Sequence, residues 1–214
     1  MNCLKMMLKL GLGLVLLLGG CMKAKHPGHQ IEYYTLEYEP PAVAELEPIP
    51  VVLRIERFGV APNFNTNRIV YRERSYRREA YVYKRWRSNP ADLVTYFLSR
   101  DIKRSGLFQA VLPYDTRVAP SYVIEGTVDE FVEWDTTALW EAVMSLSITL
   151  MDENEPDISK RILFQKTYQV SEPCRERKPA ALAEAMSRAM AKISAEIIQD
   201  LHARLKDRTE GGGS

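Results

Sequence analysis

Ala142-Val143-Met144-Ser145-Leu146-Ser147-Ile148-Thr149-Leu150 is the stretch that decides the fold. Ala142, Met144, Leu146, Ile148 and Leu150 fall on one side, and Val143, Ser145, Ser147 and Thr149 on the other. A strict period of two with one apolar side is the signature of a half-buried β-strand. The same alternation precedes it at Tyr122, Ile124, Gly126 and Val128. It follows again at Ile162, Phe164, Tyr168 and Val170. Three such runs in succession predict a long antiparallel meander. Its second hairpin turns through Asp152–Asp157, where Pro156 and the clustered acids disfavour further strand.

Beyond the meander the period changes. From Pro179 to Leu205 the apolar residues Leu182, Met186, Met190, Ile193, Ile197 and Leu201 recur at helical spacing. Such a stripe packs a long helix on a core. A second helix begins at Asn89-Pro90-Ala91-Asp92. Asn89 supplies a cap, Pro90 suits the first turn and Asp92 favours the positive helix end. Leu93, Phe97, Leu98 and Ile102 form its buried stripe, and Gly106 supplies the stop. Leu107–Leu112 leaves as a strand that Pro113 ends.

Nearer the N-terminus, Glu32–Tyr38 is aromatic and β-prone, and Pro40, Pro41, Pro48 and Pro50 enforce an extended connector. Val51–Phe58 reads as a strand with Val51, Leu53 and Ile55 on one face. Asn63–Asn67 is turn-like, and Arg68–Arg72 and Ala80–Lys84 are short strands. The order of strands, helix, strands, helix defines an α+β domain: a mainly antiparallel sheet with two long helices packed on one face.

The first twenty residues are of another kind. Lys5 and Lys9 open a positive start, Leu10–Leu18 is an almost unbroken apolar run, and Leu18-Gly19-Gly20-Cys21 closes it. This is the layout of a secretory signal, too short to span a membrane as a helix. The L-G-G-C ending resembles the bacterial lipobox. Small glycines admit the backbone to a peptidase cleft, and the Cys21 thiol accepts the diacylglyceryl group. Residues 1–20 are therefore expected to be removed, leaving Cys21 as the lipid-bearing N-terminus. Three acyl chains, palmitate among them, anchor far more firmly than one. Met22, rather than aspartate, follows the cysteine, which favours the periplasmic face of the outer membrane. Residues 22–30 form a tether that spans at most about 30 Å. The folded domain covers 31–206. Residues 207–214 are expected to be a disordered tail, ending in Gly211-Gly212-Gly213-Ser214, which reads as an appended linker.

The whole chain carries 29 Lys+Arg and 28 Asp+Glu. Loss of Lys5 and Lys9 with the signal leaves a net charge of −1, which does not suggest nucleic acid as a partner. Of three cysteines, Cys3 leaves with the signal and Cys21 is acylated, so Cys174 is left without an intrachain partner and reads as a buried or harmless thiol, with an intermolecular bridge the second reading. His26 and His29 are too few ligands for a metal site. The body contains one histidine, His202, expected to be polar helix surface. Ser-His-Asp and Cys-His sets, phosphate loops and metal clusters are missing from the sequence. Asp129, Glu130, Glu133 and Asp135 read as a solvated strand edge rather than a carboxylate pair. The expectation is a non-enzyme with no cofactor.

Several stretches match a known family in order and spacing. They are Y-Y-T-L at Tyr33–Leu36, R-I-V-Y-R at Arg68–Arg72, Y-V-Y-K-R-W at Tyr81–Trp86 followed by Pro90, and S-G-L-F-Q-A-V at Ser105–Val111. Together they resemble the ABC-type transport auxiliary lipoproteins, the PqiC-like lipoprotein components of MCE systems, over roughly Ile31 to Leu205. The resemblance implies an adaptor in lipid traffic between two membranes. It would hold the outer-membrane end of a PqiB-like MCE protein and be powered by a separate ATPase and permease. The rival readings are a lipid carrier and a structural or assembly lipoprotein of the outer membrane.

One surface stands out for partners. Residues 68–87 hold Arg68, Arg72, Arg74, Arg77, Arg78, Lys84, Arg85 and Arg87 against Glu73 and Glu79, a net charge of +6. Arginine interleaved with Tyr and Trp is enriched at protein interfaces. Arg72, Arg74, Arg77, Arg78, Arg85 and Trp86 are the candidate partner-binding residues. The partner would be the MCE protein or the acidic hairpin of a second copy, at Asp152, Glu153, Glu155 and Asp157, in a homo-oligomer. Anionic head groups are the alternative, and a solvated turn is the plain reading.

Overall fold

In chain order the elements are β1 (Glu32–Tyr34), β2 (Ile49–Ile55), β3 (Gly59–Val60), a 3-10 turn (Pro62–Phe64), β4 (Arg68–Arg72), β5 (Glu79–Trp86), α1 (Pro90–Ser105), β6 (Phe108–Pro113), β7 (Tyr122–Asp135), β8 (Trp140–Asp152), α2 (Ile158–Arg161), β9 (Ile162–Pro173) and α3 (Pro179–Gly211). This computed structural model describes residues 30–43, 46–74, 76–136 and 138–211. The signal, Cys21 and the tether histidines lie outside the described residues.

The meander is β7, β8 and β9. β8 pairs antiparallel with both neighbours along nearly its whole length. Ala142, Met144, Leu146, Ile148 and Leu150 are fully buried. They face α1 and α3, whose stripes at Leu93, Phe97, Leu98 and Ile102 and at Leu182, Met186, Met190, Ile193, Ile197 and Leu201 close one continuous core. The α+β fold with two long helices on one face is present. The sheet is nonetheless mixed. Along its other edge β7 takes three short parallel partners in turn: β2 at Tyr122–Ile124, β3 at Thr127–Val128 and β4 at Glu133–Trp134. β6 also lies parallel to β2, because α1 intervenes in the connection and returns the chain in the same sense.

The local reasons are those of the sequence. Asn89 Oδ1 accepts a 3.0 Å bond from the Ala91 amide, Pro90 opens α1, and Gly106 ends it in the left-handed region at φ 69°. The connector after β1 is pinned to both helices. The Glu37 amide donates to Ser187 Oγ at 2.9 Å on α3, and the Tyr38 hydroxyl donates to the buried Asp101 at 2.6 Å on α1.

Four expectations need correction. A β-bulge follows Val128, and after it the inward residues of β7 are Phe131 and Glu133. Glu133 is therefore 1% exposed and not part of a solvated edge. A second register shift, near Leu150, turns Ile162 outward and buries Leu163 instead. His202 is not surface: it is 3% exposed, and its Nε2 donates to the Glu47 carbonyl at 2.8 Å. The tail expected to be disordered from 207 is helical through Gly211. Arg208 pairs with Asp152 at 2.9 Å, so the last turns of α3 are tied to the end of β8.

Candidate functional site

The candidate arginines lie on and around the β4–β5 hairpin. β4 meets β7 in register, with Tyr71 beside Glu133 and Arg72 beside Trp134. The two pairs point to opposite faces of the sheet. Tyr71 and Glu133 look to the helix side. Arg72 and Trp134 look to the other side, continuing a small second core of Phe64, Val70, Val132 and Val143.

On that open face the Arg72 guanidinium lies 3.5 Å over the Trp134 ring, a cation–π contact of about 1 kcal/mol at such a site. Asn63, Arg72, Tyr76 and Arg78 line a pocket of 610 Å³ beside it. Tyr76 has a positive φ of 64° and a fully exposed side chain. The backbone is strained there, in a conformation that non-glycine residues seldom hold. Burial, and after it the neighbouring Arg78 charge, push the Arg72 guanidinium below its ordinary pKa, while Glu130 acts in the opposite sense. The buried nitrogens Arg78 Nε and Trp134 Nε1 have no hydrogen-bond partner among the described residues.

The sequence-predicted residues divide. Arg72 and Arg78 wall the pocket together. Arg74 and Arg77 are exposed on the hairpin, and Arg77 is paired with Glu79. Arg85 is half-buried. Trp86 is not surface at all: it is 1% exposed and packs edge-on against Phe131 with centroids 5.0 Å apart. A buried ring cannot be a docking contact, so Trp86 leaves the candidate set. Sequence reasoning missed Trp134 and Asn63, since Arg72 meets Trp134 only through a parallel pairing across 62 positions. Cys21 lies outside the described residues.

On the helix side, Glu133 accepts from the Tyr81 hydroxyl at 3.1 Å and from Trp140 Nε1 at 2.6 Å. Burial raises its pKa, and these two donors partly oppose the rise. Cys174 nearby is pushed up to about 12, first by burial and then by the Glu133 charge. A thiol so placed is a poor nucleophile. Among the described residues no cluster of three His, Cys, Asp or Glu side chains is placed to hold a metal ion.

A separate groove of 590 Å³ lies between α1 and the strand edge at β6. Ile55, Val111, Leu112 and Pro113 line it beside Tyr96 and Tyr114, with Arg57, Arg100 and Lys103 also at its walls.

The fold is a helix-covered mixed sheet with an arginine-rich open face. Residues 34–198 match the family model of the ABC-type transport auxiliary lipoprotein component, and the chain belongs to that family. Membership makes it a lipoprotein of a transport system and points to a non-catalytic role. No curated protein sequence matches it closely enough to count as a relative. Among solved structures, a Xanthomonas campestris protein of the DUF330 family is similar at a TM-score of 0.75 and 17% identity, over 84% of this chain and 99% of that one. A hypothetical protein from Chlamydia trachomatis is similar at 0.51 and 8%, over 73% and 98%. At such identities both likenesses concern the fold alone.

Proposed function

We propose that this lipoprotein is the outer-membrane-anchored, periplasmic component of an MCE-type intermembrane lipid transport system. It acts as a non-catalytic adaptor that docks the MCE assembly at the outer membrane. The observation that carries the reading is the exposed, arginine-rich hairpin on the body of a transport auxiliary lipoprotein. Arg74 has no ion pair among the described residues, and Arg77 has only the hairpin's own Glu79. A surface left this basic on a chain of near-zero net charge favours an acidic partner through electrostatic complementarity.

The test is co-purification of the full-length chain, in its lipidated form, with the MCE proteins of the same cell, from membranes that keep both. Recovery of the MCE protein in stoichiometric amount is expected. Its absence, under conditions where an MCE ring stays intact, overturns the adaptor reading.

The groove beside β6 favours a second reading, that of a lipid carrier, because its volume falls in the range of small-molecule sites. Mass spectrometry of the native purified protein separates the two. A carrier retains phospholipid in about one-to-one ratio, whereas an adaptor does not.

A further inference from the structure

We propose that the pocket walled by Arg72 and Arg78 is a binding site for a phosphate group, presented as the phosphodiester of a phospholipid headgroup. The inference does not rest on the adaptor reading.

The first argument is chemical. The lining residues Asn63, Arg72, Tyr76 and Arg78 include two fixed cations and no carboxylate. Three of the other basic residues of this stretch have acceptors. Arg68 donates to the carbonyls of Ala80 and Tyr81, Arg77 pairs with Glu79, and Lys84 pairs with Glu32. Arg72 and Arg78 have no ion pair among the described residues, Arg78 reaching only the Arg77 carbonyl at 3.3 Å, and they lie close enough to repel. Glu130 is an acid whose charge reaches Arg72. It sits on the sheet face near Gln169, whose amide donates to it at 3.3 Å. An anion between the two guanidinium groups turns a repulsion into two attractions.

The second argument is preorganisation. Stacking on Trp134 fixes the Arg72 plane, so little rotamer freedom remains to be lost when a ligand arrives. The Arg78 Nε–H, on a lining residue, and the Trp134 Nε1–H, on the ring beneath Arg72, are buried donors without a partner among the described residues.

The third argument selects phosphate over carboxylate and a lipid over a free ion. A guanidinium fork pairs two oxygens, and a tetrahedral phosphate offers separate edges to two forks. The pocket, at 610 Å³, exceeds what a lone ion fills and accommodates a headgroup. Tyr76 stands fully exposed at its wall on strained backbone. An aromatic ring with a polar tip is suited to the boundary between headgroups and acyl chains. With Cys21 lipidated as the sequence leads one to expect, a tether of nine residues reaches about 30 Å at most, which keeps a bilayer within reach.

The test uses residues 22–214, the chain after Cys21, which carries every core residue among the described ones. The three indole N–H signals of Trp86, Trp134 and Trp140 are followed by 15N NMR during titration with glycerophosphoglycerol, inorganic phosphate and acetate. Flotation with phosphatidylglycerol–phosphatidylcholine vesicles and with pure phosphatidylcholine vesicles forms the second arm. The expected result is a saturable shift of the Trp134 signal with the phosphodiester. Arg72→Gln and Arg78→Gln each weaken it at least tenfold, and Arg117→Gln, an exposed arginine outside the hairpin, leaves it unchanged. Binding to the anionic vesicles falls in parallel in the same variants. Arg72→Lys, which keeps the charge and loses the planar fork, guards against a folding artefact: it should stay folded and still bind several-fold more weakly. Absence of a saturable Trp134 shift overturns the site. Equal response to acetate overturns the phosphate assignment. Binding of the soluble ester without vesicle binding overturns the lipid source and leaves a site for a free phosphate compound.

Discussion

Glu133 shows how one inserted residue reassigns a side chain. Before the bulge the even residues of β7 face the helices; after it the odd ones do. A bulge re-aims everything downstream in the strand, and no alternation pattern announces it. Burial raises the Glu133 pKa from the ordinary 4.5. The folded chain thus holds this proton more tightly than the unfolded chain. The contribution favours folding below the ordinary carboxylate range and is lost as pH rises through the raised value. Glu133→Gln keeps an oxygen to accept from Tyr81 and Trp140 but cannot ionise. Thermal unfolding at pH 5 and pH 8 should show a smaller loss with rising pH in the variant than in wild type. An unchanged slope would mean that Glu133 is ionised throughout, with its donors outweighing burial. Cys174 gives a second prediction at this scale. With its thiol pushed up to about 12, native alkylation at pH 8 should be about a thousandfold slower than in denaturant. Equal rates in the two states would show an exposed thiolate.

Individual elements were legible wherever local chemistry decides them. The Asn89 cap, the Pro90 start and the Gly106 stop of α1 stand where the sequence places them, and β4 spans Arg68–Arg72 as read. The apolar stripes of β8 and α3 face the core residue for residue. What stayed hidden depends on distant partners: the parallel sense of β2, β3, β4 and β6, the burial of His202 against Glu47, and the extension of α3 held by Arg208 and Asp152. Gly126 is a case between the two. Its place in a strand suggests a close approach, and the structure supplies the neighbour. A Cβ built there would meet the buried Phe58 ring at 2.4–2.9 Å. Gly126→Ala should therefore destabilise the domain by about 1–3 kcal/mol, the usual cost of overpacking a filled core. Chemical denaturation is the measurement, and Gly126→Ala combined with Phe58→Leu should recover part of the loss. A silent Gly126→Ala would mean that Phe58 swings aside freely.

For the whole molecule, anchoring and charge distribution set what the domain can meet. Cys21→Ser should block acylation and leave unprocessed precursor in the inner membrane. Processing and fractionation like the wild type would remove the lipid anchor from the account. Beyond the anchor, a net charge of +6 sits in residues 68–87 while the remainder of the mature chain carries about −7. Head-to-tail pairing with the acidic hairpin of a second copy is weakened by what those acids already do. Asp152 is held by Arg208, and Asp157 accepts from the Ser159 amide at 3.0 Å as the cap of α2. The hairpin arginines therefore favour a separate acidic partner, and Arg74 and Arg77 are the pair to reverse. Both are exposed and stand outside the Arg72–Arg78 pocket, so the double change Arg74→Glu and Arg77→Glu tests docking without removing the phosphate site. Exposed substitutions of this kind cost little stability, within about 0.5 kcal/mol each, so folding should survive. Contacts between exposed charges act on association rate and are screened over about 10 Å at 0.1 M salt. Wild-type capture of the proposed MCE partner should weaken steadily across a salt series. The double variant should bind at least tenfold more weakly at low salt, with a flatter dependence, and converge on wild type at high salt. Equal capture and an equal salt slope in a folded double variant would return this hairpin to the role of a solvated turn.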